Sequence, residues 1–222
     1  LASSSTMGVS QRSDFGAAFA IIVLGAGMQS QTLDGVTFSD PYAISLCAFA
    51  GSMMSTVVIL GMSRVKRITP EMMVLAGVAL SSVFSGGTTL LQYFADDVKV
   101  AAVVFWTFGN LGSTSWREII IMAAVVAASL IYFMFNRWNY NALQNGADTA
   151  SSLGMNARAV TLISMGVCTL ASALAVSFVG IISFVGLVAP HIMRRFVGDD
   201  YRWLLPCSAA AGSLLLLLAE GE

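Results

Sequence analysis

Two stretches without Asp, Glu, Lys or Arg flank the most polar segment of this chain: 18 residues from Ile119 to Asn136 and 35 residues from Ala159 to Met193. A hydrocarbon slab of roughly 30 Å takes about 20 apolar residues of helix to cross. It also requires helices or a closed barrel, because no water is present to satisfy backbone groups. No short alternating strands are visible, so the runs predict membrane helices. Composition agrees, with charged residues at 10% of the 222 and a mean hydropathy of +0.80, against about 25% charged residues in a soluble domain.

As one helix, the second run would be about 53 Å long at 1.5 Å per residue, too long for a single crossing. Gly180, Gly186 and Pro190 divide it into a span at 159–177 and a shorter, irregular one at 180–195. The other predicted spans are 7–28, 43–62, 71–94, 117–135 and 203–219, with a short helix at 98–108 that is extracytoplasmic or half-inserted. Thr69-Pro70-Glu71 is a helix start, with a capping threonine, proline at the first position and an acid in the first turn. Gly16, Ala17, Ala18 and Ala20 suit close helix contact in the first span.

The basic residues orient these spans. Ser63–Arg67, reading SRVKR, marks the cytoplasmic side by the positive-inside tendency. Arg12, Arg64, Lys66, Arg67, Arg137, Arg158, Arg194, Arg195 and Arg202 then lie inside and only Lys99 and Arg117 outside, a ratio of nine to two. Between the two uncharged runs sits a polar island, Asn139–Asn156, with the sequence NYNALQNGADTASSLGMN and one formal charge, Asp148. It is a cytoplasmic loop long enough for a short helix or two. Gly146, Ala147, Ala150 and Gly154 would let a partner approach closely.

Several functions are excluded or demoted. The basic residues are too scattered for nucleic acid. Cys47, Cys168 and Cys207 lie in apolar segments without paired spacing and are packing residues. His191, the only histidine, cannot by itself supply a site of three or four metal ligands, so no cofactor or metal is expected. The chain contains no G-x-x-x-x-G-K-[ST] phosphate loop, so no ATPase site of its own and no enzyme activity is assigned. None of the 12 acidic residues falls deep within a predicted span, which argues against an ion-coupled secondary transporter. That class and a non-transport membrane scaffold stand as the alternatives.

The run Gly180–Arg194 reads G-x-I-x-F-V-G-L-x-x-P-H-x-x-R, and Gly198–Pro206 reads G-x-D-x-R-x-L-L-P. With LASSSTMGVSQRSDFGA at the start, VLAGVALSSVFS at 74–85 and NALQNGADTASSLGM at 141–155, the chain resembles the FecCD-type permease subunits of bacterial ABC importers for iron-siderophore complexes, haem and vitamin B12. The resemblance follows family order along essentially the whole chain. Departures are mild: Ser4 for a proline, Arg12-Ser13 for a glycine-alanine pair, Asn145 for a leucine and Tyr201 for a histidine.

The resemblance implies an all-α, polytopic transmembrane protein with the type II ABC importer permease fold, in the bacterial plasma or inner membrane. It implies a fragment spanning roughly the third to ninth of about ten spans. The expected partners are a second permease subunit, two cytoplasmic ATPases, a periplasmic or lipid-anchored binding protein and the lipid bilayer. Asn141, Leu143, Gly146, Ala150, Leu153 and Gly154 match the loop that couples to the ATPase. Gly180, Phe184, Gly186, Pro190, His191 and Arg194 match the marked motif, where gating and a purely structural role are both open. The pathway should follow the span at 71–94, with Met72, Ser81, Ser85 and Thr88 either lining it or packing against other helices.

Overall fold

The computed structural model describes residues 9–26, 41–65, 70–109, 112, 114–144, 146–152, 154–182 and 185–220. All regular structure among them is α-helical: α1 Val9–Ile22, α2 Pro41–Val65, α3 Pro70–Tyr93, α4 Asp97–Phe108, α5 Trp116–Phe135, α6 Arg137–Gln144, α7 Ala147–Ser152, α8 Ala157–Val179, α9 Val185–Val197 and α10 Tyr201–Glu220. Within α5, α8 and α10, the segments Trp116–Phe135, Ala159–Val179 and Tyr201–Leu218 are each long and apolar enough to cross a membrane.

The helix ends follow local chemistry. Helices α2 and α3 both begin on proline, whose missing N–H costs nothing in the first turn. Ser115 and Glu118 form a capping box at the start of α5, the Ser115 N–H donating to Glu118 Oε2 at 2.9 Å and the Glu118 N–H to Ser115 Oγ at 3.5 Å. Asn156 Oδ1 accepts the Ala159 N–H at 3.0 Å at the start of α8. Gly109 closes α4 at φ +71°, and Gly198 follows α9 at φ +83°, a backbone state that favours glycine.

The chain divides into two compact units. The first comprises residues 1–119 and 169–182, and its core is α1 packed against α2, α3 and α4. Small residues let the backbones touch. A Cβ on Gly16 would run into the Cys47 carbonyl oxygen, and one on Gly51 would lie 2.6 Å from that of Arg12. Helix α4 runs antiparallel to α1: Lys99 Nζ donates to the Ile22 carbonyl at 3.0 Å, and Thr107 Oγ1 donates to Asp14 at 3.0 Å. Val103 of α4 packs with Ala18 and Ile21 of α1 in the buried cluster between them.

Three details of α1 bear on the expectations. Where a span at 7–28 is predicted, α1 has 14 residues, about 21 Å of helix. A turn over Val23–Ala26 ends it, with Gly25 at φ +66°. Arg12 is no loop charge: it is 1% exposed, and its guanidinium donates to the Gly77 carbonyl at 3.4 Å. Asp14, two residues on, lies well within α1, where Thr107 of α4 donates to its carboxyl, against the expectation that no acidic residue falls deep within a span.

The second unit comprises residues 120–168 and 183–222. Helices α9 and α10 pack side by side, and α6 lies against α10. A Cβ on Gly212 of α10 would meet Ala189 and Val185 of α9 at ordinary contact distances of 3.7 and 3.8 Å.

Candidate functional site

The polar island folds as two short helices, α6 and α7, joined at Gly146 with φ +106° and left through Gly154 with φ +80°. Helix α6 follows α5 after a single turn residue, Asn136, whose amide donates to the Tyr132 carbonyl at 3.1 Å and accepts from Asn139 at 3.0 Å.

One side of α6 is bound to the segment between α9 and α10. Asn141 Nδ2 donates to Asp200 Oδ1 at 2.9 Å, while Asn141 Oδ1 accepts the Tyr201 N–H at 3.1 Å. Gln144 Nε2 donates to the Asp199 carbonyl at 2.9 Å. The Arg202 guanidinium lies 3.7 Å from the centre of the Trp138 ring, within cation–π range. Tyr140 and Tyr201 rings stand 5.7 Å apart, and Tyr140 shares a 2.7 Å hydroxyl hydrogen bond with Ser164 of α8.

The electrostatics fit this bonding. Asp200 caps α10, accepting the Arg202 N–H at 3.0 Å. That bond, then the Asn141 amide, holds its carboxyl below the usual carboxylate range. A depressed carboxylate favours the folded state at neutral pH and loses that advantage as pH falls through its folded pKa. Burial pushes the Tyr140 phenol up to about 12, so it stays a neutral hydroxyl. Arg194 Nε pairs with Asp199 Oδ1 at 2.6 Å across a solvent-open surface.

The coupling candidates therefore separate. Gly146 and Gly154 are exposed and Leu143 is half-buried, but Ala150 is fully buried and cannot offer a face to a partner. The Asn141 amide is engaged within the chain. Leu153 lies outside the described residues. Gln144, Thr149 and Ser152 are exposed and make up the open polar part of the loop.

The marked motif also divides. Gly180 has φ +84° and belongs to the first unit, where a Cβ on it would lie 2.6 Å from Gly109 Cα and 2.7 Å from the Trp106 carbonyl. Gly186, Pro190, His191 and Arg194 lie on α9 in the second unit. A Cβ on Gly186, unlike one on Gly180, meets nothing within 4 Å. Pro190 sits inside α9, where it removes the donor that would reach back one turn. His191 is exposed, and Phe184 lies outside the described residues.

Of the pathway candidates, Ser85 and Thr88 line a cavity of about 270 Å³ together with Asp14, Thr89, Gln92 and Thr107. Ser81 instead donates to the Gly77 carbonyl at 2.7 Å, and the Met72 side chain lies outside the described residues. Asp14 and Thr107 were missed in the sequence. The signal available was the occurrence of Arg12 and Asp14 in a segment rich in small helix-packing residues.

Three apolar helices of membrane-crossing length among the described residues, with a bonded polar loop, are the features of a multi-pass membrane protein. The FecCD transport family matches residues 1–220, and the chain belongs to that family. It is similar to an ABC transporter permease protein of Methanocaldococcus jannaschii, 52% identical over 220 residues, which are 99% of this chain and 63% of that protein. The hemin transport system permease protein of Yersinia pestis is 31% identical over 179 residues, 81% of this chain and 54% of that protein. This chain thus spans between about half and two thirds of the length of these relatives. A solved structure, described as an inward-facing conformation of a metal-chelate type ABC transporter, shares the fold with a TM-score of 0.84 at 24% identity, over 99% of this chain and 67% of that one.

Proposed function

We propose that this chain is part of the membrane permease of an ATP-driven importer of a metal chelate of the iron-siderophore, haem or cobalamin kind, residing in the cell's plasma membrane. The observation that carries the reading is the family match along residues 1–220. The names of the relatives support the cargo class: one is a hemin permease and the structural neighbour is of metal-chelate type. The permease pairs with a second permease subunit, and two cytoplasmic ATPases and an external binding protein complete the importer. Helices α6 and α7 form the ATPase dock, with Gly146, Gly154 and the exposed Thr149 and Ser152 on the docking side. Chelate passes along α3, where Ser85 and Thr88 face the polar cavity.

An ion-coupled carrier is the second reading, and Asp14 beside that cavity is the observation favouring it. Uptake of a radiolabelled ferric chelate into proteoliposomes containing the permease, its ATPase and its binding protein separates the two. The importer reading expects uptake that needs enclosed ATP and persists with ionophores. Uptake without ATP that collapses with a proton or sodium ionophore would replace it with the carrier reading.

A further inference from the structure

The bonds between α6 and the α9–α10 segment are unusually regular in register. Four residues of α6 meet the run Asp199–Arg202: Trp138 meets Arg202, Tyr140 meets Tyr201, Asn141 meets both Asp200 and Tyr201, and Gln144 meets Asp199. Asn141 is the centre of this seam, since its amide is used in both directions at once. Its oxygen accepts from the first N–H of α10, and its nitrogen donates a hydrogen bond to the carboxylate that caps the same helix. The partner segment is bonded onward: Asp199 pairs with Arg194 in the last turn of α9. A force on α6 therefore has a continuous hydrogen-bonded route into the ends of both α9 and α10.

We infer that Asn141 is a positioning residue which locks α6 to the capped N-terminus of α10, so that movement imposed on α6 is passed to α9 and α10 through the Asn141–Asp200 pair. This rests on the reading of α6 and α7 as the ATPase dock. A loop held only by apolar contact could slide under load, whereas a two-way amide bond to a carboxylate and a backbone N–H fixes direction as well as distance. The seam also differs from an ordinary helix cap. Asp200 accepts the Arg202 N–H from within its own segment, whereas the Tyr201 N–H is taken by Asn141 of α6, so part of the α10 cap is supplied by another helix and the amide bond to Asp200 ties the two together.

The chemistry makes the pair exchangeable. Asn141→Asp alone sets a second carboxylate against Asp200 and removes the donor. Combining it with Asp200→Asn restores a donor and an acceptor with the polarity reversed: the new carboxylate accepts from the new amide and from the Tyr201 N–H, and the amide oxygen still accepts from Arg202.

The test compares wild type, Asn141→Asp, Asn141→Ala and the Asn141→Asp/Asp200→Asn double variant in the assembled transporter. It measures ATPase retained on the purified permease, stimulation of ATP turnover by binding protein, and chelate uptake. Asn141→Asp should retain the ATPase but lose stimulation and uptake at least about tenfold, and the double variant should recover both to within about threefold of wild type. Should Asn141→Ala fail to accumulate, the single and double charge variants decide alone. Wild-type uptake in Asn141→Asp, or a double variant no better than the single, would overturn the lock. If the wild-type permease itself neither retains nor stimulates the ATPase, the docking reading fails instead, a result distinct from either.

Discussion

The contact of α1 with α2 and the seam of α6 with α10 are built on opposite principles. At the first, Gly16 and Gly51 bring backbone against backbone, and the Ser13 and Ser52 hydroxyls bond to one another within the same contact. At the second, polar and aromatic side chains of α6 reach across to side chains and backbone groups of Asp199–Arg202. In a chain so apolar, hydrophobicity cannot choose between helix faces, so tight packing falls to glycine, alanine and serine. A polar loop can be joined by directional bonds that another charge arrangement could reproduce. One region is defined by the space it lacks and the other by the groups it pairs.

Breaking the first region should have the largest effect. Gly16→Val forces a branched side chain against the Cys47 carbonyl and has no neighbouring side chain to displace. It should destabilise by more than about 3 kcal/mol, beyond ordinary overpacking, and abolish the monodisperse peak in detergent size-exclusion chromatography. A wild-type elution profile would show that α1 and α2 are not in backbone contact.

Gly180→Ala should come next. Its left-handed backbone alone disfavours a side chain by about 1–2 kcal/mol, and the close approach of Gly109 adds to that. The expected outcome is a clearly lower melting temperature in detergent, with some folded protein still recovered.

Within the second region, Tyr140→Phe removes only the hydroxyl bond to Ser164 and keeps both ring contacts. A loss of about 0.5–1.5 kcal/mol is expected, measured as a small drop in melting temperature. A loss as large as that of Gly180→Ala would mean that the seam is as intolerant as the α1 contact.

The smallest effect belongs to Gly186→Ala. A Cβ there meets open space, so stability should change by under about 1 kcal/mol in either direction. Strong destabilisation in detergent would place an unseen contact against α9.

How far these features were legible in the sequence follows from the same contrast. Helix class, the polar island and the break after Val179 can be read from charge, glycine and proline alone, because each acts locally. The placement of Arg12 and Asp14 cannot. Helix α1 carries small residues on all sides, so no periodic stripe reveals which face is buried, and two charged residues look like a loop. Gly186 and Gly180 are equally suggestive in sequence, but only Gly180 has a neighbouring backbone against it. Asn141 and Asp200 are 59 residues apart, and nothing local in either motif announces the other. The family resemblance puts both motifs in view without pairing them.

The central claim, that α6 and α7 form a cytoplasmic dock for a separate ATPase, is tested most directly by chemical cross-linking. Cys47, Cys168 and Cys207 are replaced, and a single cysteine is placed at position 149, exposed on α7, or at position 97, exposed at the start of α4. The account expects a thiol at 149 to be labelled only from the cytoplasm and to cross-link to the ATPase, while a thiol at 97 is labelled only from outside and does not. Labelling of 149 from outside, or an ATPase that co-purifies yet never cross-links there, would contradict it.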